Sequence, residues 1–144
     1  MERTPIPDFR SIAVGDEVVR LVKPPVTKTQ LVRYAGASGD FNPLHTDDES
    51  ARRAGFEGVV AHGMLVMAFM AEAASSWAPG ECLKSVKARF KGITRPGDVI
   101  TVSCRVSGKR DQEGAGVVEC SMEAADQNGD VKAVGTFFAS LPLE

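Results

Sequence analysis

The stretch Met64-Leu65-Val66-Met67-Ala68-Phe69-Met70-Ala71, inside a helical run from Gly63 to Trp77, constrains the chain most. A helix apolar nearly all the way round needs cover on most sides. Its apolar segment falls well short of the roughly 20 residues that cross a bilayer. The cover must therefore come from the chain itself. Ala68, Ala71, Ala73 and Ala74 are small enough for a sheet to approach the helix backbone closely, and Pro79-Gly80 ends the run.

The material for that sheet follows. Residues 82–94, 99–110, 116–125 and 131–141 read as strands, separated by turn signals at Arg95-Pro96-Gly97-Asp98, Asp111-Gln112-Glu113-Gly114 and Asn128-Gly129. Asn-Gly is a hairpin signal because both residues tolerate positive φ. Upstream, Glu17 to Val22 is β-branched and bounded by Val14-Gly15-Asp16 and Pro24-Pro25. Short connections predict antiparallel pairing. The expected class is α+β: one antiparallel sheet curved around one long helix. With 144 residues and no internal repeat or linker, residues 1–144 are expected to form a single domain.

Two shorter helices are predicted before the long one. Thr27 suits an N-cap with Gln30 reaching back, for a helix burying Leu31, Val32, Tyr34 and Ala35 and ended by Gly36 and Gly39. Asp47-Asp48-Glu49 suits the first turn of another, closed at Gly55. Between them lies Asp40-Phe41-Asn42-Pro43-Leu44-His45. Pro43 stiffens this loop and biases Asn42 toward an extended backbone. It therefore holds an acid and an imidazole at a defined spacing.

A net charge of −2 with no long block of one sign argues against nucleic acid as a partner. Cys82, Cys104 and Cys120 are odd in number and lack C-x-x-C spacing, which suits a reducing compartment. The first residues lack the apolar run of a signal peptide. The expectation is a soluble, cytoplasmic protein without a membrane partner.

Tyr34 followed by Ser38-Gly39-Asp40-Phe41-Asn42-Pro43-Leu44-His45-Thr46-Asp47 resembles the signature of the R-specific (type 2) enoyl-CoA hydratases, the MaoC-like dehydratase family. Ala61-His62-Gly63-Met64 is similar to that family's second landmark. Residues 90–98, closing on Pro96-Gly97-Asp98, are similar to its strand leading into a turn. The resemblance implies the hot-dog fold, a sheet wrapped around one helix. It also implies a single hot dog that pairs with a second copy or, as in mycobacterial-type dehydratases, with a non-identical subunit.

Hydrating a 2-enoyl thioester needs a base for water, an acid for the α-carbon and donors for the developing enolate oxygen. A carboxylate accepts at neutral pH, and an imidazole switches roles there. The resemblance implies that Asp40 and His45 are the catalytic dyad. It further implies that Gly63, at the free N-terminus of the apolar helix, donates its N–H to the thioester oxygen. Asn42, His62 and Met64 are assigned to the surrounding substrate site. There Asn42 braces the loop, His62 hydrogen-bonds at the helix start and Met64 lines the wall. No step requires a metal or a redox cofactor. CoA or acyl carrier protein arrives as part of the acyl-thioester substrate.

Plainer readings exist for these residues. Asp40 alone would serve as a turn cap. The acids Asp40, Asp47 and Asp48 with His45 and His62 match no common metal-ligand spacing. Lys84, Lys87, Arg89, Lys91 and Arg95 alternate along a strand, and most are expected to be simply solvated. Two other functions fit the same fold: an acyl-CoA thioesterase that directs water at the carbonyl carbon, and a non-catalytic partner subunit or acyl-CoA-binding module.

Overall fold

The computed structural model describes residues 2–144. Five strands, β1 (Glu17–Val22), β2 (Leu83–Phe90), β3 (Thr101–Gln112), β4 (Ala115–Ala125) and β5 (Val131–Leu141), form one sheet in the order β1-β3-β4-β5-β2. Every pairing is antiparallel. Three helices precede β2: α1 (Lys28–Ser38), α2 (Asp48–Arg53) and α3 (Gly63–Trp77). The sheet curves around α3, the helix-in-sheet arrangement of the hot-dog fold.

Period-two alternation decides which side of the sheet meets α3. Val102, Cys104 and Val106 of β3, Val118, Cys120, Met122 and Ala124 of β4, and Phe137, Ala139 and Leu141 of β5 all point inward and are buried. Against them α3 places Leu65, Val66, Phe69, Met70, Ala73 and Ala74. Burying each large side chain among these contributes about 1.5–3 kcal/mol. Trp77 ends the helix with its ring 5.9 Å from that of Phe137. Cover of α3 is one-sided: Met64 is 55% exposed, and Ala68 is also exposed. Close approach of the sheet therefore uses Ala73 and Ala74, which are fully buried, and not Ala68.

Several predicted details shift. Thr27 caps α1 through its side chain, accepting from the Gln30 N–H. Gly36 lies within the helix, and Gly39, at φ 76°, is its cap. Val32 faces outward at 56% exposure, because the buried stripe runs through Leu31 and Ala35. β2 stops at Phe90, since the next two N–H groups, of Lys91 and Gly92, both turn to the Lys132 carbonyl. The hairpin with both central residues at positive φ is Glu113-Gly114, not Asn128-Gly129. At the latter turn Gly129 alone is left-handed, and the Asp126 carboxylate accepts from the N–H groups of Asn128 and Asp130. The lead-in contains a short 3-10 turn, Phe9–Ser11, pinned by Lys109, whose ammonium donates to the carbonyls of Phe9 and Ile12.

The three cysteines are free and buried. Burial pushes the Cys104 thiol up to about 11 and that of Cys120 up to about 12, so both are inert as nucleophiles.

Gly135 marks the tightest approach in the sheet. A Cβ there would sit 2.0 Å from the Lys87 carbonyl oxygen of β2, a backbone atom that cannot move without breaking the β2–β5 ladder. Gly135→Ala is expected to destabilise the protein by more than about 2 kcal/mol in urea unfolding. Gly36→Ala, on an exposed helical position with open space around it, is expected to be neutral or to stabilise by up to about 1 kcal/mol.

Candidate active site

Three segments distant in sequence converge at the N-terminal end of α3. The first is the loop after α1. Gly39 turns the chain out of the helix, and the Asp40 N–H is met by the Ser38 hydroxyl at 3.2 Å. Asp40 Oδ1 accepts from the Asn42 N–H at 3.2 Å. Asn42 Oδ1 accepts from the Leu44 N–H at 3.1 Å, capping a 3-10 turn, Pro43–His45. Asn42 is thus engaged in bracing the loop. The Asp40 carboxylate does fill a turn-capping role, but through one oxygen, leaving Oδ2 free to face His45.

The second segment runs from α2 into α3. Asp47 caps α2 by accepting from the Ser50 N–H, and the Ser50 hydroxyl and N–H hold its carboxyl below the usual range. Asp48 reaches in two directions: Oδ2 pairs with Lys28 of α1 at 2.5 Å and Oδ1 accepts from the Val59 N–H at 3.0 Å. The Lys28 contact, then the Val59 bond, lower its pKa. Immediately afterward the Val60 N–H donates to the Leu44 carbonyl at 3.0 Å, and the Val60 carbonyl accepts from His45 Nδ1 at 2.7 Å. The third segment, beyond β2, contributes the Thr94 carbonyl, which accepts from the Ala61 N–H at 2.8 Å.

The Val60 bond sets the tautomer of His45. A carbonyl only accepts, so Nδ1 carries the proton and, in the neutral ring, Nε2 presents its lone pair. That nitrogen lies 3.8 Å from Asp40 Oδ2. Two acceptors therefore face one another, with the Asp40 side chain 53% exposed and that of His45 12%. A water placed against both would donate one hydrogen to each, or a single proton would be shared between them.

His62 lies behind this pair, only 2% exposed. Its ring stacks on His45 with centroids 3.7 Å apart and planes at 24°. The Tyr34 ring stands roughly T-shaped to it, with centroids 4.8 Å apart and planes at 64°. Its Nε2 donates to the backbone carbonyl of Asp40 at 3.1 Å. Asp40, His45 and His62 each offer a ligand atom within 4.8 Å of the others. Because the two rings are stacked, however, their in-plane lone pairs run side by side and do not converge on one point.

Gly63 opens α3, and its N-cap residue His62 makes no side-chain capping bond. The first N–H groups of this helix are therefore available as donors at the positive end of its dipole. A Cβ at Gly63 would lie 3.3 Å from the Phe90 ring, so the bare glycine lets that ring close on the helix start. Met64 and Phe41, next to Gly63 and Asp40 in the chain, are 55% and 67% exposed. The Val60 carbonyl and Phe90 shape the site without having been read as site residues from the sequence, and Asp48 was read there only as a helix-start acid outside any metal pattern. Phe90 carried a signal as the first residue of the third family-like stretch.

Burial lowers the His62 pKa below its ordinary value of 6.5, and repulsion by His45 acts in the same direction against the hydrogen bond to Asp40. As pH falls through about 6.5 the unfolded chain takes up a proton at His62 that the folded chain resists. His62 therefore favours folding above that pH and disfavours it below. Urea midpoints measured between about pH 7.5 and 5.5 are expected to fall, and the fall is expected to be shallower in His62→Phe.

Comparison with known proteins agrees with this architecture. Residues 10–128 match the family model described as the MaoC like domain. The mitochondrial 3-hydroxyacyl-[acyl-carrier-protein] dehydratase of Arabidopsis thaliana is 34% identical over 110 residues, covering 76% of this chain and 66% of that enzyme. The (R)-specific enoyl-CoA hydratase of Rhodospirillum rubrum is 29% identical over 85 residues, 58% of this chain and 59% of that one. The chain thus spans about three-fifths to two-thirds of these relatives. Among solved structures, the (R)-hydratase from A. caviae involved in PHA biosynthesis superposes with a TM-score of 0.81 at 27% identity, over 92% of this chain and 99% of that one. Fold, motif order and family match agree: the chain belongs to the MaoC-like family.

Proposed function

We propose that the protein is an R-specific hydratase of 2-enoyl thioesters, working equally in reverse as a 3-hydroxyacyl-thioester dehydratase. The observation that carries this reading is the pair of facing acceptors, Asp40 Oδ2 and His45 Nε2, 3.8 Å apart beside the uncapped start of α3. Hydrolytic enzymes also activate water. The hydratase and dehydratase relatives favour addition at the β-carbon over the thioesterase reading.

The chemistry follows from the positions of the donors and acceptors. Water bound to Asp40 and His45 gives up a proton to the dyad as its oxygen bonds to the β-carbon. The double-bond electrons move toward the thioester carbonyl, whose oxygen gains charge as an enolate. The Gly63 N–H and the helix dipole stabilise that charge. The enolate then takes a proton from the dyad at the α-carbon, re-forming the carbonyl. The two acceptors face one another across 3.8 Å, so the proton is passed within the pair. Both protons move on the side where the dyad sits, which makes the product a single enantiomer. The balance closes with water and thioester alone, without a metal or redox cofactor, and the parallel stack of His45 and His62 disfavours a shared cation. CoA or an acyl carrier protein enters as the thiol half of the substrate.

The same reading includes a homodimer in the cytoplasm. β2 ends the sheet with one side unpaired, and Phe41, Met64 and Phe90 remain exposed around the site. A second copy or an acyl chain would cover them. A non-identical hot-dog subunit would serve the same purpose. Among the described residues, no helix is long and apolar enough to cross a membrane.

Purified protein mixed with crotonyl-CoA and with a longer 2-enoyl-CoA is expected to bleach the enoyl-thioester absorbance and yield R-3-hydroxyacyl product on chiral analysis. Asp40→Asn and His45→Gln are each expected to lower kcat by about 10²- to 10⁴-fold with an unchanged circular dichroism spectrum. Near wild-type turnover in either variant would remove the dyad from the mechanism.

A further inference from the structure

The proposed chemistry makes no use of His62, yet His62 is held more tightly than either dyad member. It is 2% exposed, stacked on one side, met roughly T-shaped by Tyr34 and hydrogen-bonded across 22 residues of sequence. The hydrogen bonds within the Asp40 loop, donated by the N–H groups of Asp40, Asn42 and Leu44, are all local and exposed. They shape the loop but do not fix its position relative to α3. The His62 bond to the Asp40 carbonyl does, because His62 is the residue that begins that helix.

His45 has a complementary deficiency. Its ring is anchored at one atom, Nδ1, by the Val60 carbonyl. A single hydrogen bond leaves the plane free to tilt about the N–H···O axis and swing Nε2 away from Asp40. The face of His62, 3.7 Å away, removes that freedom. An imidazole supplies both a flat face and an in-plane N–H donor at this point. Phenylalanine offers the first and glutamine the second.

We propose that His62 is a positioning residue that sets the distance between the dyad members, its Nε2–H holding the backbone of Asp40 while its ring face seats His45. The inference rests on the hydratase reading only in that the pair it positions is the dyad named there. His62 Nδ1 is buried without a hydrogen-bond partner among the described residues. A proton on it would have no acceptor, so the ring works in the neutral Nε2–H form and adds no charge to the pair. The titratable groups that face it are Asp40, His45 and Tyr34.

The chain contains two histidines, so an ¹⁵N imidazole NMR spectrum reports both rings without crowding. In the wild type at neutral pH, His45 is expected as the Nδ1–H tautomer and His62 as the Nε2–H tautomer. Finding His62 charged, or protonated at Nδ1 alone, would overturn the proposal before any variant is made. His62→Gln keeps a donor but loses the face, and is expected to broaden or average the His45 Nδ1–H signal. An unchanged signal would overturn the seating role. His62→Phe keeps the face and loses the donor. It is expected to retain the His45 signal while kcat falls about 10- to 100-fold and KM changes less than about two-fold. Wild-type kcat in His62→Phe would overturn the hold on Asp40. Failure of the wild type to hydrate any enoyl thioester would defeat the functional reading instead, and the tautomer pattern with the His62→Gln spectrum would still decide the role of His62.

Discussion

Two hydrogen bonds to one residue hold the site together. Val60 donates its N–H to the Leu44 carbonyl and accepts the His45 Nδ1 proton on its own carbonyl. Each is worth only about 1 kcal/mol net. Together they clasp the acidic loop to the segment that becomes α3, three residues before the buried helix begins. Asp48 supports the clasp from one side by holding Val59 and Lys28, and Thr94 supports it from the other by accepting from Ala61. Because α3 is itself locked into the concave face of the sheet, the loop inherits the rigidity of the core.

The clasp also controls the electrostatics. With Nδ1 committed to a carbonyl, the other nitrogen of His45 becomes the reactive one, and it faces a carboxylate oxygen. Such an arrangement is poor for stability, since two acceptors oppose one another. It becomes favourable when a water or a proton lies between them. Behind the pair, burial keeps His62 neutral, so the site holds two imidazoles without holding two positive charges. In front, an uncapped helix end offers N–H groups that a stability-optimised helix would have satisfied with Ser, Thr or Asp at the cap.

One-sided burial of α3 is the remaining asymmetry. The sheet covers the stripe through Leu65, Phe69 and Ala73, and the opposite stripe through Met64 and Ala68 stays open. The helix is apolar on both because the two stripes meet different partners: the first packs against the chain's own sheet, and the second lies beside the candidate site. This is why hydrophobicity around the whole helix circumference overstated its burial within one chain.

Much of this was legible in the linear chain. The apolar run named the central helix with its observed ends, and the turn residues separated strands that pair antiparallel. The loop from Asp40 to His45 announced itself through Gly39, Pro43 and the spacing of its acid and imidazole. These are local signals, set by φ preferences, side-chain alternation and hydrogen bonds spanning a few residues. Val32 shows where a local signal fails, and the hairpin predicted at Asn128-Gly129 forms between β4 and β5 with a turn of different detail. Val32 is apolar yet faces away from the core, and the Asp126 side chain, not the Asn-Gly pair, organises that turn. A hydrogen bond from His62 was expected, but its partner on Asp40, the stack of His45 on His62, the Val60 clasp and the Phe90 ring against Gly63 had no sequence signature. Each joins residues 15 to 27 positions apart through contacts of only 2.7 to 3.7 Å. The sequence alone determined which groups were available and which segments were stiff. The tertiary structure decided which nitrogen of each histidine faces which oxygen, because that depends on the packing of α3 against a sheet whose strands come mostly after it.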